Sequence, residues 1–220
     1  MNGTKMSREV VGKIKYEYDV TTTVLLGVDF QLAFGESSWE PVPGAAAAVD
    51  NFRAAATAWR AAGGTVVHLV TTFTEDRRPT GRATDFAPDA ADALAVNEPM
   101  AASYPDVIMS DELVIAKTSF SGVLSSDLVA RLHTDGVDSV VLGGLTTPIC
   151  VQTTADNLSM SGFKVTVLSD ACASQAIGRL SATEAHNAAI ERLAYLFTAV
   201  ATTADFVVEV ALDFKKHLVN

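Results

Sequence analysis

Short apolar runs recur along the chain, separated by longer stretches in which apolar residues return every three or four positions. The runs are Thr23–Val28, Thr65–Thr71, Glu112–Ala116, Val137–Leu142 with its Val-Val-Leu core, Lys164–Leu168 and Ala199–Thr202. Each is brief and rich in β-branched residues, the composition of a strand buried on both faces. Between them, Ala45 to Ala62 is Ala-rich and closed by Gly63-Gly64. Ser125 to His133 and Ser181 to Leu196 carry helical spacing, and so does Asp205 to Leu218. Val151, Ala155 and Leu158 form a fifth periodic stretch, stopped by Ser161-Gly162. Strand alternating with helix predicts an α/β fold, a doubly wound and mainly parallel sheet with helices on both faces. Ligands of such sheets bind outside the carboxyl ends of the strands.

The periodicity fails in two stretches. Residues 1–22 mix Lys, Arg, Glu and Asp with no apolar centre. They read as an N-terminal arm, on the surface or on a neighbouring subunit, and not as a signal peptide. Residues 23–220 then form a single domain, within the size that one core supports. Residues 72–111 carry Arg77, Arg78 and Arg82 among turn residues, then Pro88, Pro99 and Pro105. A connection that long signals a functional loop or lid.

Composition narrows the classes. A formal charge of −10 argues against a nucleic-acid surface, which needs clustered Lys and Arg. No apolar run reaches the length of a membrane span. Two Cys without framework spacing point to a reducing cytoplasm.

Chemistry gathers where strands end. Asp29 follows the first run, Lys117 the third, and Gly143-Gly144-Leu145-Thr146-Thr147-Pro148-Ile149-Cys150 follows the fourth. Thr146 or Thr147 can cap the next helix, and Pro148 suits its first turn because the missing N–H has no partner there anyway. Cys150 then sits in a helical first turn, where N–H groups and the helix dipole lower a thiol pKa by about a unit or more. Alone, Cys150 reads equally as a small buried hydrophobe, Asp29 as a turn former and Lys117 as a solvated cation. Their coincidence at one edge favours a site. Cys172, in Ser169-Asp170-Ala171-Cys172, reads as packing a strand-to-helix turn.

These residues resemble the isochorismatase-like cysteine hydrolases over roughly Val24 to Thr203. The matching pieces are Asp29-Phe30-Gln31 with Phe34, Lys117-Thr118, Gly144 to Cys150, and Ser169-Asp170-Ala171-Cys172-Ala173. The resemblance implies an isochorismatase-like, Rossmann-like three-layer fold and an Asp29-Lys117-Cys150 triad. It also implies hydrolysis of small amides through a thioester. A cis peptide between Leu145 and Thr146 would aim the Thr146 and Cys150 N–H groups at the oxyanion. Homo-oligomerisation, as a dimer or tetramer, is implied as well.

The departures sharpen the expectation. Family members of the nicotinamidase type carry an Asp and His metal cluster after the second strand, whereas Thr71 to Asp76 contains no His. Zinc wants imidazole or thiolate ligands, so neither metal nor cofactor is expected. Cys150 argues against vinyl-ether cleavage of the isochorismatase type, which stays as an alternative. So does a non-catalytic binding protein. A dinucleotide-binding reading lacks its G-x-G-x-x-G after the first strand. His68, His133, His186 and His217 take structural roles in this reading. Phe34 and Phe120 are candidate pocket walls, and Arg82 is the candidate partner for a substrate carboxylate.

Overall fold

The computed structural model describes residues 14–38, 41–74, 85, 89–196 and 198–218. Six strands form one parallel sheet: β1 Thr23–Val28, β2 Thr65–Thr71, β3 Leu113–Lys117, β4 Ser139–Leu145, β5 Lys164–Ala173 and β6 Ala199–Ala201. Their order is β3-β2-β1-β4-β5-β6. The chain therefore winds outward from β1 in one direction, then returns to β4 and winds outward in the other. The strand order reverses between β1 and β4, and a crevice opens at such a switch point above the carboxyl ends.

Five helices cover the sheet: α1 Ala45–Ala61, α2 Leu128–Thr134, α3 Gln152–Met160, α4 Ala182–Leu196 and α5 Thr203–Leu218. Adjacent strand residues point to opposite faces, so Leu25, Val141 and Leu168 join Phe52, Trp59 and Phe206 beneath α1 and α5. Leu26, Leu142 and Val165 join Leu128, Leu158 and Leu193 on the other side. α4 begins with a reciprocal cap in which Ser181 N–H donates to Glu184 Oε2 at 2.9 Å and Glu184 N–H donates to Ser181 Oγ at 3.3 Å.

The largest differences from the sequence pattern fall at three boundaries. β4 runs on through Gly143-Gly144 because both glycines are squeezed within the sheet. A Cβ on Gly144 would lie 2.3 Å from the Val28 carbonyl oxygen, and one on Gly143 would lie 2.9 Å from Ala171. β5 continues to Ala173, so Cys172 is a strand residue beside Gly144 and not part of a strand-to-helix turn. α2 starts later than expected, since the Ser125 and Ser126 hydroxyls donate to the Ser121 and Gly122 carbonyls and hold the preceding residues in turns. The arm's described part lies on its own chain: Tyr18 is buried edge-on against Phe206, ring centroids 5.0 Å apart.

Candidate active site

Asp29, Lys117 and Cys150 converge above the switch point. Asp29 leaves β1 at φ 52°, a left-handed conformation that Asp tolerates better than most residues. Its N–H donates back to the Leu69 carbonyl at 2.9 Å. That turn aims the carboxylate along the sheet edge. Lys117 ends β3, two strands away, and reaches Asp29 Oδ2 with its Nζ at 2.8 Å. Both are fully buried, and Cys150 is 6% exposed. Cys150 lies in a π-helical turn, Thr147–Val151, with Pro148 at its start. Lys117 Nζ lies 3.6 Å from Cys150 Sγ.

Thr71, the last residue of β2, completes the cluster. Its hydroxyl donates to Asp29 Oδ1 at 3.0 Å and accepts from Lys117 Nζ at 2.6 Å. Lys117 also donates to the Ser119 carbonyl at 2.9 Å. The ammonium has three hydrogens and four acceptors around it, and the sulfur is the most distant of the four. Gln31 in turn fixes Thr71: it accepts the Thr71 N–H at 2.8 Å and donates to the Thr71 and Ala101 carbonyls at 2.9 and 2.7 Å.

The Isochorismatase domain model matches residues 23–205. The chain belongs to the isochorismatase family.

An uncharacterized isochorismatase family protein of Bacillus subtilis is 30% identical over 68% of this chain and 72% of its own length. A cysteine hydrolase from Pseudomonas syringae pv. phaseolicola is 27% identical in structure-based comparison, with a TM-score of 0.84 over 94% of this chain and 99% of that one. An Arabidopsis thaliana relative called a probable inactive nicotinamidase is 35% identical, over 39% of this chain and 38% of its own. The family and the fold together support a hydrolase.

Within this isochorismatase-family site the thiol behaves otherwise than a helical first turn suggests. Burial pushes the Cys150 pKa up to about 12; Lys117 opposes this, while the charge of Asp29 and a hydrogen bond with it add to it. The reason is net charge. Releasing the Cys150 proton to solvent leaves a carboxylate, an ammonium and a thiolate, a net −1 in a closed site. Burial pulls the Lys117 ammonium down, but Asp29 and Cys150 more than restore it, and its pKa stands above the ordinary lysine value. Handing the thiol proton to Asp29 instead keeps the cluster neutral overall, and burial does not resist that step in the same way. The geometry suits an internal proton transfer and disfavours a free thiolate at rest.

The other sequence candidates fall as follows. The Leu145–Thr146 peptide is cis, and Thr146 is buried at the N-cap of the π turn. Neither threonine supplies a side-chain cap there; the Thr147 hydroxyl turns to β5 instead. Phe34 is half-buried against the core, and Phe120 is 45% exposed. Arg82 lies outside the described residues, as do Arg77 and Arg78. Among the described residues no group of three His, Cys, Asp or Glu is placed to hold a metal ion. His68 pairs with Glu112 and His133 stacks on Phe163. Gln31 stands in the Asp29-Phe30-Gln31 piece of the resemblance without a role assigned to it, and Thr71 carries no local signal, because a strand's final Thr looks alike in any sheet.

Proposed function

We propose that this isochorismatase-family chain hydrolyses a small carboxamide, ureido or maleamate-like compound through a thioester on Cys150, releasing ammonia or an amine. As Sγ bonds to the substrate carbonyl carbon, its proton passes to Asp29 and Lys117 faces the developing negative charge. The carbonyl oxygen, now an oxyanion, is received by the Thr146 and Cys150 N–H groups. The C–N bond breaks as Asp29 returns the proton to the departing nitrogen. Water then loses a proton to Asp29 and attacks the thioester. The C–S bond breaks, the acid leaves, and the proton goes back to sulfur.

The observation that carries this reading is the buried Asp29–Thr71–Lys117 triangle with the Cys150 sulfur 3.6 Å from its ammonium. A binding protein has no use for a buried charge pair facing a thiol. Cys150→Ala, with a side chain small enough for the position, is expected to fold normally and lower ammonia release by about 10⁴-fold or more. The measurement is ammonia release from a panel of small amides, with intact mass of the wild-type enzyme during turnover to catch the acyl adduct. Unchanged release by the Ala variant excludes Cys150 as nucleophile.

A further inference from the structure

The turn that carries Cys150 is tied to its surroundings by one polar chain outside the reacting cluster. Thr147 Oγ1 donates to the Ala173 carbonyl, the last residue of β5, at 3.0 Å. His186, in α4, places Nδ1 2.9 Å from the same hydroxyl oxygen. A threonine hydroxyl has one hydrogen. If it goes to Ala173, His186 must donate, so Nδ1 carries the proton. The chain then runs in a single sense, from His186 Nδ1–H to Thr147 Oγ1–H to the Ala173 oxygen.

Its placement matters because the β4–β5 ladder ends at Leu145, just short of the turn. Ala173 pairs with Leu145, and Leu145 precedes the Thr146 whose N–H faces the oxyanion in the proposed mechanism. Cys150 lies three residues after Thr147 in the same π turn. Thr147 is fully buried, so a hydroxyl there without partners is costly, and two partners from different elements leave it one orientation. The register between β4 and β5 is irregular just below this point, between Leu142 and Gly144. The ladder resumes at Gly144–Cys172 and ends at Leu145–Ala173, and the side-chain link carries that relation on into the turn.

We propose that His186 is a positioning residue for the nucleophile: acting through Thr147, it holds the π turn against β5 and so sets the Cys150 sulfur against Asp29 and Lys117. The inference rests on Cys150 being the nucleophile, and on nothing about which amide is cleaved. His186 touches neither substrate nor reacting atoms.

The test follows alkylation of Cys150 by iodoacetamide, read by peptide mass spectrometry, with the buried Cys172 as internal reference and a thermal melt of each variant. His186→Leu and Thr147→Val each are expected to slow Cys150 alkylation by about three- to tenfold, the loss of one buried hydrogen bond. His186→Asn, whose amide N–H falls near the position of Nδ1–H, and Thr147→Ser recover most of the rate. The Leu/Val double variant is no slower than the slower single one, because both changes cut one chain. An Asn variant as slow as the Leu variant overturns the proposal, as does a double variant whose loss is the product of the two. A lowered melting temperature with undiminished alkylation makes the contact structural only and overturns it too. If wild-type Cys150 reacts no faster than Cys172, the nucleophile itself is refuted, and this inference falls with it.

Discussion

Two charge clusters, one half-buried and one fully buried, sit at opposite edges of the same sheet, and they are built on opposite rules. At the amino edge, Glu112 accepts from Arg60 Nε and Nη2 at 2.7 and 2.9 Å, from the Met109 N–H at 2.8 Å, and lies 2.9 Å from His68 Nε2. Arg60 also reaches the Val107 carbonyl at 3.0 Å. These groups satisfy one another and tie α1, β2 and the entry to β3 together. At the carboxyl edge, the Asp29 and Lys117 charges are also paired, but a thiol that can give up a proton stands beside them. A cavity of about 620 Å³ opens at the amino edge, lined by Arg60, Thr65, Glu112, Leu113 and Arg131. Its size does not make it the reaction site, since Arg60 and Glu112 hold each other there and Arg131 is held by Asp127. Saturated polar groups stabilise; a proton with somewhere to go permits chemistry.

Exchanging each acid for its amide separates the two roles most sharply. Asp29→Asn removes the proposed proton acceptor, and turnover is expected to fall by about 10⁴-fold, comparable to losing other members of a catalytic unit. Glu112→Gln leaves the half-buried Arg60 without its charge partner and costs about 1–3 kcal/mol of stability. At a temperature where that variant remains folded, its turnover number is expected within about threefold of wild type, since the Glu112 network touches no reacting atom. Denaturant melts and steady-state rates on the same preparations decide it. A Glu112→Gln enzyme that stays folded yet is inactive would join the two edges into one functional unit.

The thiol offers a second separation, smaller in scale. An ordinary cysteine alkylates about tenfold faster per pH unit below its pKa, as thiolate accumulates. Cys150 holds its proton toward solvent up to about 12, and in the proposed mechanism passes it to Asp29 instead. Its alkylation rate is therefore expected to stay nearly flat between about pH 6 and 9, where a free-thiol rate climbs steadily. Lys117→Met is expected to be slower at every pH in that window, because the facing positive charge is gone. A tenfold rise per unit in the wild type would show a solvent-released thiolate and remove Asp29 as the acceptor.

What was legible in the sequence follows the same division. Strands buried on both faces announce themselves as apolar β-branched runs, so β1 and β2 appear with their observed bounds. Asp29 and Lys117 are visible because each is an unusual residue placed straight after such a run, and Cys150 because Gly143 to Ile149 lead from one into a helical start. Thr71 is invisible, since its role depends on Asp29 and Lys117 arriving from other strands. The thiol's upward shift is hidden for a related reason: a helix start lowers a pKa locally, whereas burial is a property of the whole fold. β4 and β5 run past their predicted ends because a glycine or alanine there reads as a turn until its sheet neighbours are known. Gly144 against the Val28 carbonyl is such a contact. His186 lies 39 residues from Thr147, beyond any local spacing.

The smallest effect concerns stability against pH, where the two edges act on opposite limbs. Glu112 would rise with burial, but Arg60, the Met109 N–H and His68 more than reverse this, and its pKa lies below the ordinary 4.5. A depressed acid contributes stability above its unfolded pKa and loses it as pH falls. The gap between wild type and Glu112→Gln should therefore narrow below about pH 4.5. Burial acts the other way on the thiols: both Cys150 and Cys172 are raised from 9.0 to about 12. Above pH 9 the unfolded chain loses those protons while the native chain keeps them, so stability falls as pH rises. Each thiol contributes a slope of up to about 1.4 kcal/mol per pH unit across that window. Cys172→Ala removes one of the two without touching the reacting cluster. Its stability relative to wild type is thus expected to improve steadily from about pH 9 upward and to stay constant below it. Urea melts at half-unit pH steps give the two difference curves. A Cys172→Ala curve parallel to wild type on the alkaline side would mean that the native protein surrenders the Cys172 proton as readily as the unfolded chain does.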